Sequence, residues 1–381
     1  MASDAAAPDI VVLSNVDWDA AWQRHQAFAE CWAKAGHRVF FVENTGSREP
    51  RLSDAGRIGA RLRALIRPAA AAVKNPRPAG VEIVSPLTLP PTRAWLRALN
   101  ARWLVPRLVA RLRTLGLKPR ALVFVYPPTD TSLRILDELA EPRVIYDCVE
   151  NFAGLRPPPP DLARCEAELL SRARAVLATS STIAAALNAR RPGVVELHHG
   201  VSEDFFLPPP TERPGKRLAY FGTIWKALDF AAISALAEAG FEVSLIGPVK
   251  GVLPRLPPSA RREPALPHDL LPERLAQADA LLLPYVDDEY NRGVAHAKLY
   301  ECLATGLPVL ASPLPALTAR PELSVLSYAA SPQDWVKAAH GLDAERAPAR
   351  REARVAVARA HSRAAAFTRL REIVEGNARG L

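Results

Sequence analysis

A lysine and a glutamate in the segment AKLYECLATGLPVLAS (297–312) are of residue types that could hold a nucleotide. Lys298 and Glu301 are three residues apart, so on a helix they would share one face. A helix N-terminus carries free N–H groups and a partial positive charge that suit a diphosphate, and Lys298 would add a full charge. Glu301 could accept hydrogen bonds from ribose hydroxyls, as acids do in other nucleotide-binding sheets. An ordinary Lys–Glu pair on an exposed crossover helix would have the same spacing.

A glycine turn in YFGTIWK (220–226) follows an apolar run and offers a second set of candidate contacts. Gly222 permits a close approach of the backbone to a ligand. Thr223 could donate a hydrogen bond to a phosphate, and Lys226 stands where it could reach one. A plain strand-to-helix turn with a solvated lysine is the alternative, because a single glycine is a weak signal.

Apolar runs that are typical of buried strands alternate with segments of helical spacing along the chain. Continuous apolar strands separated by helices indicate parallel sheets that are buried on both faces. We therefore predict an α/β fold of two Rossmann-like, doubly wound domains, in which ligands bind beyond the carboxyl ends of the strands. The predicted strands are Ile10–Leu13, Arg38–Val42, Val81–Val84, Ala121–Tyr126, Arg143–Tyr146, Ala175–Ala178, Leu218–Phe221, Val243–Ile246, Ala280–Pro284 and Val309–Ala311.

The alternation is interrupted by the proline-rich LPPPTERP at Leu207–Pro214, which breaks both helix and strand. We predict a first domain over 1–205, a second over 206–348, and a C-terminal helical segment over 349–381 that returns to the first domain. Two such domains predict a cleft between them in which substrates bind.

The composition of the 381 residues disfavours several classes of protein. Hydrophobic residues make up 49% and charged residues 23%, as in globular domains, and the net charge of +9 favours anionic partners. The start has no signal-peptide pattern and no stretch is apolar enough to span a membrane, so we expect a cytoplasmic protein. The four cysteines form no C-x-x-C pair, which disfavours a zinc or redox motif.

Motifs for other ligands are missing or weak. No G-x-G-x-x-G follows the first strand and no G-x-x-x-x-G-K-[ST] occurs, which disfavours a dehydrogenase and a P-loop kinase. The acidic run Asp287–Glu289 lacks a convergent ligand set, and the neighbours His198 and His199 would point in different directions on a strand, so no metal site is predicted. The arginines are spread along the chain, so no nucleic-acid partner is expected.

The two candidate segments, in this order, resemble parts of the GT-B glycosyltransferases, most of all the large group 1 family (glycosyltransferase family 4-like) that assembles bacterial polysaccharides and glycolipids. In that family the second domain opens on a strand ending in a glycine turn, here YFG-T, and later has a strand ending in proline, here LLLPY. The block K-L-x-E-x-x-A-x-G-x-P-V follows, here KLYECLATGLPV. The joint HGVSEDF (199–205) and the N-terminal stretch VDWDAAWQRHQAFAECWAKAGHRVFFVENTG are also similar, so the resemblance covers essentially the whole chain.

The resemblance implies a metal-independent transfer of a sugar from a nucleotide diphosphate sugar, with UDP or GDP as the nucleotide, to an acceptor hydroxyl, without a further cofactor. Retention of the anomeric configuration is the outcome that the family favours. The charge of the leaving group would be stabilised by Lys298, Lys226 and Arg292 together with helix N-terminal amides. The donor-binding residues so implied are Gly222, Thr223, Lys226, Asn291, Arg292, Lys298, Leu299 and Glu301.

One departure from the family concerns the transferred sugar. Many relatives carry two glutamates eight positions apart; Glu301 matches the second, whereas Gly293 stands at the place of the first. The role of the missing glutamate would be empty or filled by Asn291 or Arg292. Two alternatives therefore stay open, a nucleotide-sugar epimerase on the same fold and a non-catalytic nucleotide-sugar-binding scaffold protein.

The first domain would bind the acceptor, a glycan or a lipid-linked one, and supply a general base, since an acceptor hydroxyl is a poor nucleophile. His25 and Asp147 are the candidates for catalysis, and Arg24 could help to hold donor phosphates. A helix cap or an exposed polar residue is the alternative for each of them. Further candidates that follow predicted strands are Asp17, Asp19, Glu43, Asn44 and Glu150.

The stretch RAWLRALNARWLVPRLVARLRTLGLK at Arg93–Lys118 is basic and carries Trp95, Trp103 and leucines at helical spacing. It is either a helix that covers the first sheet with its arginines in water, or a surface that lies on anionic lipid. The second interpretation suits a lipid-linked acceptor and a peripheral protein on the inner face of the membrane.

Overall fold

The computed structural model describes residues 7–20, 22–43, 75–155, 158, 161–209, 215–294 and 296–376. The chain divides into two compact units. The first contains the residues up to Ala178 and Ala184–Val195, and the second contains Thr179–Ile183 and the residues from Glu196 onward. Part of the predicted joint, 210–214, lies outside the described residues. The predicted domain limits and the return of 349–381 to the first domain stay predictions.

A seven-stranded sheet forms the centre of the first unit, in the order β3-β2-β1-β4-β5-β6-β7. The registers of β1 with β2 and with β4 are parallel, with Val12 opposite both Phe41 and Phe124. Apolar side chains fill β1, β2 and β4 without alternation, because helices cover both faces of such a sheet. The strands are β1 Ile10–Leu13, β2 Val39–Val42, β3 Val81–Val84, β4 Leu122–Val125, β5 Arg143–Cys148, β6 Ala175–Ala178 and β7 Val194–Glu196.

Six α-helices belong to this part of the described chain, and some of them begin at a capping side chain. Thr129, for example, accepts a hydrogen bond from the amide of Ser132 and so caps the helix that follows β4. The helices are α1 Arg24–Lys34, α2 Ala94–Leu99, α3 Val105–Thr114, α4 Asp130–Glu138, α5 Leu162–Arg172 and α6 Ser181–Asn188, with a π-helical turn at Asn100–Leu104 between α2 and α3.

A six-stranded sheet forms the second unit, in the order β10-β9-β8-β11-β12-β13. In this order the first strand of the unit, β8, lies between β9 and β11, which is the arrangement of a doubly wound Rossmann sheet. The strands are β8 Arg217–Phe221, β9 Glu242–Ile246, β10 Ala260–Glu263, β11 Ala280–Leu283, β12 Val309–Ala311 and β13 Ser327–Tyr328. The helices are α7 Phe230–Glu238, α8 Leu271–Leu275, α9 Glu289–Arg292, α10 Leu299–Ala304, α11 Pro315–Thr318, α12 Pro332–His340, α13 Leu342–Glu345, α14 Pro348–Ala360 and α15 Arg363–Glu375.

The predicted α/β class is confirmed, and the strands that the sequence missed lie at the ends of the sheets. The interior strand β11 is fully apolar and was predicted from its run of leucines. The edge strand β10 has the sequence ARRE, and β7 and β13 are also edge strands with half-buried residues. A strand with one neighbour needs no continuous apolar run, so the pattern of buried strands does not detect it.

Candidate functional site

Lys298 is the N-cap residue of helix α10 and lies between two tyrosines. Its Nζ is 2.9 Å from the hydroxyl of Tyr285, which follows β11, and 3.4 Å from the hydroxyl of Tyr220 in β8. It also lies over both rings, 5.2 Å from the centroid of Tyr220 and 5.7 Å from that of Tyr285. Burial raises the pKa of both tyrosines above its ordinary value, so they remain neutral.

The charge of this lysine is not balanced locally. In the parts of the chain that the structure describes, Lys298 forms no ion pair with a carboxylate; its side-chain partners are the two neutral hydroxyls. The ammonium is half-buried, where an opposite charge would interact with it more strongly than in bulk water. The position therefore suits an anionic ligand.

The predicted glycine turn contacts the same lysine. A Cβ atom on Gly222 would lie 2.6 Å from Lys298 Nζ, and the Tyr220 hydroxyl donates a hydrogen bond of 3.0 Å to the carbonyl of Thr223. The structure thus brings Gly222, Thr223 and Lys298 together at the carboxyl ends of β8 and β11. Lys226 is exposed, and among the described residues no hydrogen bond or ion pair joins it to this group.

A second glycine, Gly247 after β9, packs against the Gly222 turn. Its φ is +147°, and a Cβ there would lie 2.2 Å from the carbonyl oxygen of Gly222. Such a distance is far inside van der Waals contact, so glycine is required by both conformation and space. Gly247 could not be singled out from the sequence, since one glycine after a strand is a weak signal.

Gly247→Ala is expected to destabilise the second unit by more than about 1–3 kcal/mol, because alanine is strained at this positive φ and its methyl group must also displace the Gly222 carbonyl. Gly240→Ala is the matched control: its φ of +88° is also unfavourable for alanine, but nothing lies within 4 Å of the added Cβ. Urea denaturation of both variants measures the difference. A loss for Gly247→Ala no larger than that of Gly240→Ala would contradict the packing argument.

Glu301 lies one turn into α10 and has a fixed partner. Its Oε1 accepts a hydrogen bond of 2.7 Å from Nε2 of His268, and the two side chains are 16% and 14% exposed. His268 comes from the short helical turn His268–Leu270 that follows β10. Because Nε2 donates, one carboxylate oxygen is held in place and the other stays available to accept from a ligand hydroxyl. His268 was not predicted from the sequence, because it is 33 residues from Glu301.

Three of the predicted donor-binding residues have structural partners instead. Asn291 is fully buried and its amide donates to the carbonyls of Val286 (2.9 Å) and Ala227 (3.3 Å). The exposed Arg292 forms a two-pronged ion pair with Asp287, at 2.6 and 2.9 Å. The Leu299 side chain is in the core and its amide donates to the carbonyl of His296.

The loop before α10 also brings in a residue that the sequence analysis did not name. The His296 ring stacks on Tyr285 with centroids 3.4 Å apart, on the tyrosine whose hydroxyl holds Lys298. Burial and the nearby charge of Lys298 lower the pKa of His296 well below its usual range, so the ring is neutral. At the position of the missing glutamate, the Gly293 carbonyl accepts a short hydrogen bond of 2.6 Å from the buried Ser180.

In the first unit, three predicted residues form one buried group. Arg24 Nε donates to Asp147 Oδ2 at 2.7 Å, with both side chains at 1% exposure or less. His25 stacks on Tyr126 with centroids 3.6 Å apart and its Nδ1 lies 3.0 Å from the Ser14 hydroxyl. Burial lowers the pKa of His25 to about 3, and burial raises the pKa of Asp147 against the effect of Arg24.

The other candidates of this unit are spread over separate contacts. Asp17 is half-buried and its carbonyl accepts from Gln26, whereas Asp19 accepts from the amide of Asn75. Glu43 accepts from the amide of Trp18, and Glu150 accepts from the side chain of Asn15 at 3.3 Å. Asn44 lies outside the described residues.

Neither clustered metal ligands nor a membrane-spanning helix occurs in the described residues. No group of three or more histidine, cysteine, aspartate or glutamate side chains converges there as it would around a metal ion. Asp287 is paired with Arg292, and Asp288 caps α9 through the amide of Asn291. No helix in the described ranges is both long and apolar enough to cross a bilayer.

Solved structures with the same arrangement define the fold. Sucrose-phosphate synthase from Thermosynechococcus elongatus superimposes with a TM-score of 0.67 at 14% identity, over 97% of this chain and 99% of that one. HepE of Anabaena in complex with UDP-glucose gives 0.66 at 11% identity, over 97% and 100%. An α,α-trehalose 6-phosphate synthase from Burkholderia multivorans gives 0.59 at 15% identity, over 98% and 99%.

The two parallel sheets and these matches give the chain the GT-B fold, which confirms the fold predicted from the resemblance. At such identities the likeness concerns the fold alone. No protein-family model and no curated protein sequence matches the chain.

Proposed function

We propose that the protein is a glycosyltransferase that transfers a sugar from a UDP- or GDP-linked donor to an acceptor hydroxyl in the assembly of a bacterial polysaccharide or glycolipid. The observation that carries this proposal is the uncompensated charge of Lys298, held by two neutral tyrosines against the Gly222 turn. Support also comes from HepE, a structure of the same fold that was determined with UDP-glucose.

The second unit would bind the nucleotide diphosphate. Lys298 would contact the phosphates, and the Gly222–Thr223 turn would let the backbone approach them closely. Glu301, oriented by His268, would accept hydrogen bonds from the ribose through the oxygen that His268 does not use. Lys226 is near in sequence and exposed, which would let it reach an outer phosphate oxygen.

The proposed reaction requires the site to stabilise negative charge on the departing nucleotide diphosphate. As the bond between the sugar carbon and the phosphate oxygen breaks, negative charge grows on that oxygen. A positive group that is already in place, such as Lys298, stabilises this charge without reorganising at the moment of reaction. The reaction so described needs no metal ion, because the protein supplies the positive charge, and we propose retention of configuration from the family resemblance.

The first unit would bind the acceptor. We propose that Asp147 fixes the position of Arg24 through their fully buried ion pair, beneath the surface that would receive the acceptor. His25 is neutral at physiological pH, since its pKa is lowered to about 3, and it would accept or donate a hydrogen bond rather than carry charge.

Glu301→Gln should weaken donor binding about 10- to 100-fold, since a hydrogen bond to a charged group contributes about 1.5–3 kcal/mol. A thermal-shift screen with UDP- and GDP-sugars first identifies the nucleotide, because a ligand of the native state raises the melting temperature. Calorimetry with the best donor then compares wild type, Glu301→Gln and the exposed control Glu273→Gln.

The outcomes of these measurements separate the alternatives. Unchanged affinity in Glu301→Gln would remove the assigned ribose contact. Donor binding without transfer or hydrolysis would favour a scaffold protein, and an epimerised donor formed without acceptor would favour an epimerase.

A further inference from the structure

An exposed apolar face lies on the helical segment that runs from α2 through the π turn into α3. Trp95 is 58% exposed, Leu99 is 40% exposed and Trp103 is 53% exposed. Large side chains of this kind are usually buried, and several of them together on one surface indicate a binding site. Trp95 and Leu99 are one helical turn apart and share a face.

The π turn keeps Trp103 exposed while α3 packs against the unit. Pro106 has no N–H to donate within the helix, and the turn immediately before it places a bond from the amide of Val105 to the carbonyl of Asn100. The following helix buries Val105, Leu108, Val109 and Leu112. The same segment therefore has an inner face in the core and an outer face that carries the tryptophan.

The segment that carries the outer face is anchored to the unit through Asn100. Asn100 is fully buried, and its side chain accepts from the amide of Leu89 and donates to the carbonyl of Leu89, at 2.9 and 2.6 Å. Leu87, two residues before Leu89, is 62% exposed. The tryptophans thus belong to an ordered helix whose exposed groups need no rearrangement to meet a partner.

Positive charge surrounds these apolar groups. The guanidinium groups of Arg102 and Arg107 lie 5.8 and 5.7 Å from the ring centroid of Trp103. The stretch from Arg93 to Lys118 contains six arginines, one lysine and no acidic residue. Arg97 is paired with Asp161 at 3.0 Å, whereas Arg102 and Arg107 are exposed.

We infer that this face, formed by Trp95, Leu99, Arg102, Trp103 and Arg107, docks on the surface of an anionic lipid bilayer. Arginines attract acidic headgroups, and tryptophans are favoured at the boundary between headgroups and acyl chains. A second copy of the chain is a poorer partner, because it would bring the same positive charge to the contact. The inference is independent of the proposed function and suits an acceptor that is lipid-linked.

Flotation with the full chain tests the inference, using vesicles of phosphatidylcholine with and without phosphatidylglycerol. We expect binding to the anionic vesicles that decreases with salt, and a blue shift of tryptophan fluorescence on binding. The double variant Arg102→Gln/Arg107→Gln should weaken partitioning about 30-fold, because each arginine near an anionic surface contributes about 1 kcal/mol. Trp95→Ala/Trp103→Ala should remove the blue shift and weaken binding.

Control variants lie in the second unit and change exposed arginines and an exposed apolar residue. Arg255→Gln/Arg261→Gln removes two exposed arginines, and Val252→Ala trims a side chain that is 100% exposed. Both should bind vesicles as wild type does, and circular dichroism should show all variants folded. Absence of flotation with anionic vesicles, equal losses in the control variants, or sedimentation showing that the two tryptophans mediate self-association would each overturn the inference.

Discussion

Lys298→Met should lower kcat by about 100- to 1000-fold, the effect seen when one preorganised charge-stabilising group is removed from an active site. Methionine keeps an unbranched side chain beside the rings of Tyr220 and Tyr285 and removes the charge together with the hydrogen bonds to their hydroxyls. KM for the donor should rise less than kcat falls, because charge on the leaving group is greatest in the transition state. Steady-state kinetics with the donor found in the thermal-shift screen gives both constants.

The control for this variant is Lys216→Met, which removes an exposed lysine just before β8. It has the same change in net charge and should keep the wild-type kcat. Equal activity of Lys298→Met and Lys216→Met would show that the tyrosine-held ammonium takes no part in the reaction, and the proposed leaving-group role would be wrong.

Asp147→Asn should lower the free energy of unfolding by about 3–5 kcal/mol, because it leaves the buried Arg24 charge without its carboxylate. Denaturation followed by tryptophan fluorescence is a suitable measurement, since five of the seven tryptophans, Trp18, Trp22, Trp32, Trp95 and Trp103, belong to the first unit. Asp287→Asn, which breaks an ion pair whose two side chains are each 58% exposed, should leave the midpoint unchanged.

A double variant separates charge from packing at this site. Arg24→Met/Asp147→Leu removes both charges and keeps apolar volume, so it should be less destabilised than Asp147→Asn. If the single variant were as stable as wild type, Arg24 would not depend on Asp147, and the positioning role proposed for Asp147 would fail.

The interior strands could be predicted from the local sequence because a strand that is buried on both faces needs apolar side chains at consecutive positions. Strand β1 was predicted with the bounds that the structure has, and ALLL in β11 is a run of the same kind. The spacing of Lys298 and Glu301 likewise placed both residues at the start of one helix. These features depend on neighbours within a few residues along the chain.

The partners of the site residues could not be predicted in this way. Arg24 and Asp147 are 123 residues apart, and His268 and Glu301 are 33 apart, so each pair forms only when the strand order is set. Asn291 was expected to face a ligand, yet its amide donates to two buried carbonyls. These carbonyls come near Asn291 only in the folded chain, so the local sequence does not reveal the contact.

The contact between Gly247 and the Gly222 carbonyl leaves peptide groups, rather than side chains, at that end of the second sheet. Directed evolution of the protein should keep both codons constant, since a side chain at Gly247 would push against the Gly222 carbonyl and one at Gly222 would displace the end of Lys298. Diversity is better introduced at Thr223 and Lys226, whose side chains can vary while the main chain beneath them keeps its course.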